Sequence, residues 1–551
     1  MTHLTGPSGS LAGEVYRIPF DDAAKPLPTE ETVGSKAHNL MRLARRGLPV
    51  PPAFVLSTGV CRDYLRRGAA ALEGLGEIFD RELQQLGVRT GRHLGDAKRP
   101  LLLSVRSGAA VSMPGMMETV LNVGLTDVTL RALIRMTGNP RLAHDCQRRL
   151  VQQYGEVVHA IPPARFERRL KALFADLGAS DGDELDTGGL ERIAHALQDD
   201  FESATGRRLP SDPLAQLKAA VEAVFRSWES ARARSYRTLN GIPDDLGTAA
   251  IVQAMVFGNL GPSSGSGVGF TRNPADGSNE LYVDYLPNAQ GEDVVAGRRR
   301  AMGPEELERR APEAYRSLIE ARPLLEQEFR DMQDFEFTVE EGRLFLLQSR
   351  AGKRTPLAAL RIAHDLAEEG LISASEALAR IDAVELGAIE NVGLKPTADQ
   401  VALARGTSAS AGVAIGAVAF DPERVSALKQ RGKPVILVRE TAETSDIGAL
   451  SEAAALITAE GARTSHAAVV ARQLGRVCIV GCEGLSIDPS GRKGVFGAET
   501  IKEGEIVSVD GVKGEIYRGA IEVRRERPTE LLSKIERWRG REESGIKRVP
   551  A

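Results

Sequence analysis

The run Gly461-Ala462-Arg463-Thr464-Ser465-His466-Ala467-Ala468-Val469-Val470-Ala471-Arg472 carries the clearest chemical potential in this chain. It follows a short apolar run, Ala454 to Thr458. The pattern reads as strand, glycine turn and helix, with Ser465 as N-cap and Gly475 as the stop. His466 then falls at the first helical position, where unpaired backbone N–H groups and the helix dipole favour an anion. An imidazole there can act as a nucleophile, and the phosphoryl group it accepts would find donors already in place. Taken alone, a histidine at a helix start reads better as a cap or a surface residue.

A second constellation is a hairpin. Strand alternation from Asp334 to Val339 puts Asp334, Glu336 and Thr338 on one face and Phe335, Phe337 and Val339 on the other. Glu341-Gly342 marks a turn, and on the return Leu344, Leu346, Gln348 and Arg350 share a face. Carboxylates and an amide opposite a guanidinium are what Mg2+ with a nucleotide polyphosphate needs. The same pattern also describes an amphipathic hairpin with a wet face. A third feature, Gly258 through Gly265 and Gly267 to Gly269, is expected as a loop whose backbone N–H groups wrap phosphates. No Gly-Lys-Ser/Thr follows, so it is not a Walker A loop. Lys36 and Arg106 supply isolated cations beside glycine or serine.

The elements that must hold these groups can be read from periodicity. Leu40, Leu43 and Leu48 recur at helical spacing after Gly34-Ser35-Lys36, and Gly47 with the following prolines stops the helix. Leu101 to Val105 reads as a buried strand and Arg106 to Gly115 as the loop after it. From 127 to 237 the pattern is helical and charged, with a soft segment at 178–189. Residues 251–297 return to strand and glycine character, and 355–387 are helical again. Short strands then follow one another from Val435 to Val509, with a last hairpin turning at Asp510-Gly511. The end of the chain, 521–551, is charged and holds at most one short helix around 531–539.

The composition sets the outer limits. The 551 residues imply three to four domains, and 42% hydrophobic content is enough for ordinary cores. A net charge of −4 offers no electrostatic case for nucleic acid or membrane binding. No apolar run approaches the roughly 18 residues of a membrane span, and Met1 to Gly13 does not resemble a signal peptide. The expected localisation is cytoplasmic. Four scattered cysteines make no disulfide framework, and Cys478 and Cys482 lack a second ligand pair for zinc.

Longer stretches carry a resemblance. The run around His466 is similar to the phosphohistidine motif of phosphoenolpyruvate-utilising enzymes. Leu102 to Ala109, Met113 to Asn122, Gln253 to Asn259, Phe270 to Pro274, Asn288 to Gly297 and Asp331 to Thr338 resemble, in order, the pyruvate, phosphate dikinase family. The resemblance covers residues 15 to 520. It implies an α/β and α+β multidomain protein, with an ATP-grasp nucleotide-binding domain over 15–355, including a helical insertion at 127–237. A helical linker at 356–400, a swivelling β/β/α phosphohistidine domain at 401–520 and the charged tail 521–551 complete the expectation.

By the same resemblance, Lys36 and Arg106 correspond to phosphate-binding cations, and Gly265 and Gly267 to the cover over the phosphates. Asp334, Glu336, Gln348 and Arg350 correspond to the ATP and Mg2+ residues, with Glu336 and Gln348 as metal ligands. His466 matches the histidine that takes the β-phosphoryl of ATP while the γ-phosphoryl passes to inorganic phosphate. Thr464 is the expected regulatory phosphorylation site. Ala462 departs from the family's second glycine, a change the loop should tolerate. The family continues into a (β/α)8 barrel of about 250 residues that binds pyruvate, for which 521–551 leaves no room. A separate barrel chain is therefore an expected partner, with a homodimer among the expected assemblies. Two other readings stay open: transfer to a different acceptor, as in water dikinases or antibiotic phosphotransferases, and a non-catalytic ATP-binding regulator.

Overall fold

A computed structural model describes residues 14–20, 25–111, 113, 117–179, 182, 184–296, 301–382, 384, 386, 389–442, 446–461, 463, 466–488 and 492–546. These fall into two compact units. One runs to Val256 and adds Phe345–Ser349; the other comprises Phe257–Leu344 and the chain from Arg350 onward.

The first unit is built on an antiparallel sheet in the order Val15–Ile18, Ala53–Leu56, Ala249–Ala254, Leu103–Gly108, Thr119–Val123. Every residue of the central Ala249–Ala254 strand is buried, including Gln253, whose Nε2 donates to the Pro51 carbonyl at 3.1 Å. The Leu103–Gly108 strand runs farther than its apolar start suggests. Arg106 therefore lies within the strand, opposite Ile251 on one side and Thr119 on the other, and not in the loop expected for it. Pairing on both edges sustains the ladder beyond the last apolar residue. The charged segment after it folds, as its periodicity indicates, into six helices from Asp127–Thr137 to Ala231–Asn240. The soft stretch ends where Asp186 caps the Thr187–Thr205 helix by accepting from Gly189 N at 2.7 Å.

A four-stranded sheet runs in the order Tyr282–Pro287, Gly265–Phe270, Gln333–Glu340, Arg343–Ala351. The last pair is the hairpin read from the sequence. The phosphate-wrapping loop expected through Gly265 and Gly267 is corrected: these residues sit in a wholly buried strand paired on both sides. A Cβ at Gly265 would run into the Tyr285 ring, at Gly267 into Phe337 and at Gly269 into Phe335. The glycines are there so that aromatic rings can lie flat on the strand, and the ladder engages the backbone N–H groups that a phosphate would need.

Farther along, an eight-stranded sheet runs in the order Ala404–Arg405, Glu515–Arg518, Ile506–Asp510, Val413–Ala419, Val435–Arg439, Ala455–Thr458, Val477–Val480, Thr407–Ser410. It is covered on both faces, which explains why its strands read as continuous apolar runs. Ile436, Val438 and Ile457 pack with Leu485, Phe496 and Ile501 of a small three-stranded sheet. Val435, Leu437 and Leu456 pack on the other face with Val425, Leu450, Ala468 and Ala471 of three helices. This is the expected β/β/α layering.

The chain's end differs from the sequence reading. Val523–Glu526 pairs with Asn391–Leu394, and Thr529–Ile546 is a single helix of 18 residues. Its Leu532 and Ile535 are buried with Ile362, Leu366 and Leu378, while Trp538 stacks on His364 at 5.4 Å. Burying such side chains contributes about 1.5–3 kcal/mol each, enough to order a segment that looks merely charged. No helix among the described residues is long and apolar enough to cross a membrane.

Candidate active site

In the first unit the cation Lys36 is positioned by a kink. The Glu30–Arg45 helix is interrupted at Gly34, with φ 77° and ψ 152°, a conformation that essentially only glycine adopts. A Cβ on Gly34 would overlap the Gly108 carbonyl oxygen. This close approach lets Ser35 donate from its N and its Oγ to the Ala109 carbonyl, at 3.0 and 3.1 Å. Lys36 Nζ then donates to the Ser107 carbonyl at 3.4 Å. Arg106, on the strand ending in this contact, donates from Nη1 to the Leu347 carbonyl at 3.1 Å, beside half-buried Gln348. Asn39, one helical turn after Lys36, donates to the Ser349 carbonyl at 2.9 Å. Lys36, Arg106 and Gln348 are thus all held by backbone contacts of a single unit.

In the second unit the acidic strand is arranged as its alternation indicates. Phe335, Phe337 and Val339 are buried at 0–1% exposure, and Glu336 is half-buried. Asp334 accepts from Arg350 Nε at 2.8 Å. Burial pushes the Asp334 carboxyl up; Arg350 opposes that shift, and neighbouring Glu336 adds to it. Burial also works against the Arg350 charge, but Asp334 and Glu336 outweigh it and raise that group. Asp334 is therefore engaged in an ion pair. Among the described residues, no three His, Cys, Asp or Glu side chains are grouped to hold a metal on their own. Glu336, half-buried beside this ion pair, fits Mg2+ that arrives with nucleotide phosphates as its other ligands, the usual mode for this ion.

The third part is the turn and helix that follow the Ala455–Thr458 strand of the eight-stranded sheet. The helix starts at His466 and extends to Gln473. Gly475, with φ 63°, ends it as read, and Arg476 N donates back to the Ala471 carbonyl at 2.8 Å. Ala468 and Ala471 are buried against the sheet, which fixes the helix axis. Thr464 and Ser465 lie outside the described residues. Cys478 is buried and its thiol is pushed up to about 12 by that burial, so it offers no thiolate to a metal at neutral pH.

Sequence reasoning passed over three residues here. Arg463 puts its guanidinium carbon 4.1 Å from the Tyr282 ring centroid and its Nε 3.2 Å from Asp284. Asp284 and Tyr282 lie on the strand beside the glycine strand. The signal for Arg463 was a lone charge in a glycine-led turn. None marked Asp284, which reads as one polar residue in an apolar run.

Residues 77–308 match the family model described as Pyruvate phosphate dikinase, AMP/ATP-binding domain, and residues 432–514 match PEP-utilising enzyme, mobile domain. The chain is 41% identical over 535 residues to the pyruvate, phosphate dikinase of Clostridium symbiosum, covering 96% of this chain and 60% of that protein. It is 41% identical over 540 residues to that of Rhizobium meliloti (strain 1021), with the same two shares. It is 43% identical over 489 residues to the chloroplastic pyruvate, phosphate dikinase 1 of Arabidopsis thaliana, covering 88% and 51%. The chain thus spans about 60% of the length of the first two relatives. It carries an ATP-grasp-type nucleotide-binding domain and a mobile domain of the PEP-utilising type.

Proposed function

We propose, from the presence of these two domains, that the chain performs the nucleotide half of a pyruvate, phosphate dikinase reaction. An imidazole nitrogen of His466 takes the β-phosphoryl of ATP, and the bond to the α-phosphate breaks to release AMP. The γ-phosphoryl passes to inorganic phosphate and leaves as pyrophosphate. The observation that carries this reading is the helix that begins at His466, which shares a compact unit with the acidic strand Gln333–Glu340.

Lys36, Arg106 and Arg350 are the cations the reading assigns to the phosphates, with Asp334 orienting Arg350. Glu336 and Gln348 would hold Mg2+, which neutralises charge on the phosphates when bound. The helix N-terminus supplies backbone donors to the phosphoryl group once it has arrived. Pyruvate chemistry belongs, in this reading, to the part of the relatives' length that these residues do not match.

The test is incubation of the 551-residue polypeptide with ATP labelled in the β-phosphate, with and without phosphate. Acid-labile, base-stable label on the protein, lost in His466→Asn with ATP affinity retained, is the expected result. Label persisting in His466→Asn would exclude His466 as the carrier. Label transfer to water or to another acceptor would redirect the second half of the reading, and no label at all would leave an ATP-binding regulator.

A further inference from the structure

A swivelling histidine must meet the nucleotide sheet and then leave it. Contacts across such a meeting have to orient the turn when made and leave no apolar surface stranded when broken. Interfaces between mobile domains are accordingly polar. Within the second unit, the contacts between the histidine turn and the nucleotide sheet have this character. Arg463, three residues before His466, pairs with Asp284 at 3.2 Å while its guanidinium lies over Tyr282 at 4.1 Å. The Tyr282 hydroxyl donates to the Ser408 carbonyl of the mobile domain at 2.7 Å. Arg472, six residues after His466, lies over Phe270 at 5.8 Å and donates from Nη2 to the Arg463 carbonyl at 3.3 Å. Phe270 and Tyr282 stand edge to face at 5.9 Å, so the two arginines that flank the histidine straddle one aromatic pair.

The Asp284 side chain is 3% exposed, and a carboxylate that buried is tolerated only when paired. Burial works against the Arg463 charge too, but Tyr282 and Asp284 outweigh it. Arginine suits the place because a planar guanidinium can stack on a ring and pair with a carboxylate together, which an ammonium cannot.

We infer that Arg463 is a positioning residue, a detachable latch that seats the His466 turn on the strand carrying Asp284 while the phosphoryl group is taken up. This rests on the phosphohistidine reading above. It gives Arg463 no contact with the reacting atoms. When the turn lifts away, both charged groups regain water, so the undocked state is soluble.

The four native cysteines are free and buried, so spin labels can be attached at introduced Glu308→Cys and Lys433→Cys, both exposed positions. Double electron–electron resonance then reads the docked population without chemistry. Arg463→Met should lower the docked-to-undocked ratio about ten- to a hundredfold, from the lost pair and the lost stacking. Arg463→Lys should fall between. Uptake of β-labelled phosphoryl should fall in step, with ATP affinity unchanged. Parental distances with parental uptake in Arg463→Met would overturn the latch. So would lost uptake with docked distances retained, since Arg463 would then act at the chemistry. If the parent takes no label on histidine while Arg463→Met still broadens the distances, the phosphotransfer reading fails and the latch stands.

Discussion

Replacing Gly34 by alanine tests how Lys36 is positioned. The backbone at Gly34 has φ 77° and ψ 152°, and forcing an L side chain into that region costs about 1–3 kcal/mol. The new methyl would also overlap the Gly108 carbonyl oxygen, a backbone atom that no rotamer change can move aside. The helix start must therefore separate from the Leu103–Gly108 strand and forfeit both hydrogen bonds from Ser35 to the Ala109 carbonyl. At about 1 kcal/mol net for each bond, Gly34→Ala should lose about 3–5 kcal/mol. That is a large share of the roughly 5–15 kcal/mol that typically holds a folded protein. Gly47 is the control: it has the same φ of 77°, but a methyl there would meet nothing within 4 Å, so Gly47→Ala should lose only about 1–2 kcal/mol. Urea unfolding followed by circular dichroism measures both, and ATP titration of the folded fraction reads the displacement of Lys36. Equal midpoints for the two variants would refute the close-approach reasoning. An unchanged ATP affinity in a destabilised Gly34→Ala would refute the role given to Lys36.

Glu336→Ala should lower Mg-ATP turnover by orders of magnitude while leaving the unfolding free energy within about 0.5 kcal/mol of the parent, because the side chain is half-buried and outside the aromatic core; an unchanged rate would make this face structural. Thr464→Glu should slow histidine labelling, since negative charge two residues before His466 repels the incoming phosphoryl group, and parental labelling would defeat that argument. Glu82 accepts from Arg17 Nε at 2.6 Å, from Arg17 Nη2 at 3.1 Å and from Arg81 Nε at 2.8 Å. Burial alone would raise its carboxyl, but the two arginines hold it below the ordinary value of 4.5. Its stabilisation is therefore full above that pH and is lost as pH falls through the lowered value. The urea midpoints of the parent and Glu82→Gln should differ at pH 7 and converge in acid, and a gap that stays constant would exclude the linkage.

Much of this protein is written in local patterns. Alternation at Asp334 to Val339 sorts acids from aromatics because successive strand side chains must face opposite ways. The start at His466 and the stop at Gly475 follow from helix-end chemistry, which needs only neighbouring residues. The doubly apolar strands from Val435 to Val480 reveal a sheet covered on both faces, again without knowledge of what covers it.

Other features were decided by partners distant in sequence. Gly265 and Gly267 have the composition of a loop, and only the rings of Tyr285 and Phe337 lying against them make the segment a buried strand. Arg106 joins a strand because Thr119 and Ile251 extend the ladder on either side. The charged tail becomes an 18-residue helix because Leu532 and Ile535 find an apolar bed made by residues more than 150 positions earlier. The pairing of Arg463 with Asp284 joins residues that share no local pattern. Sequence period determines which face a side chain takes, whereas burial and charge pairing depend on what the fold brings opposite that face, and only the tertiary structure decides that.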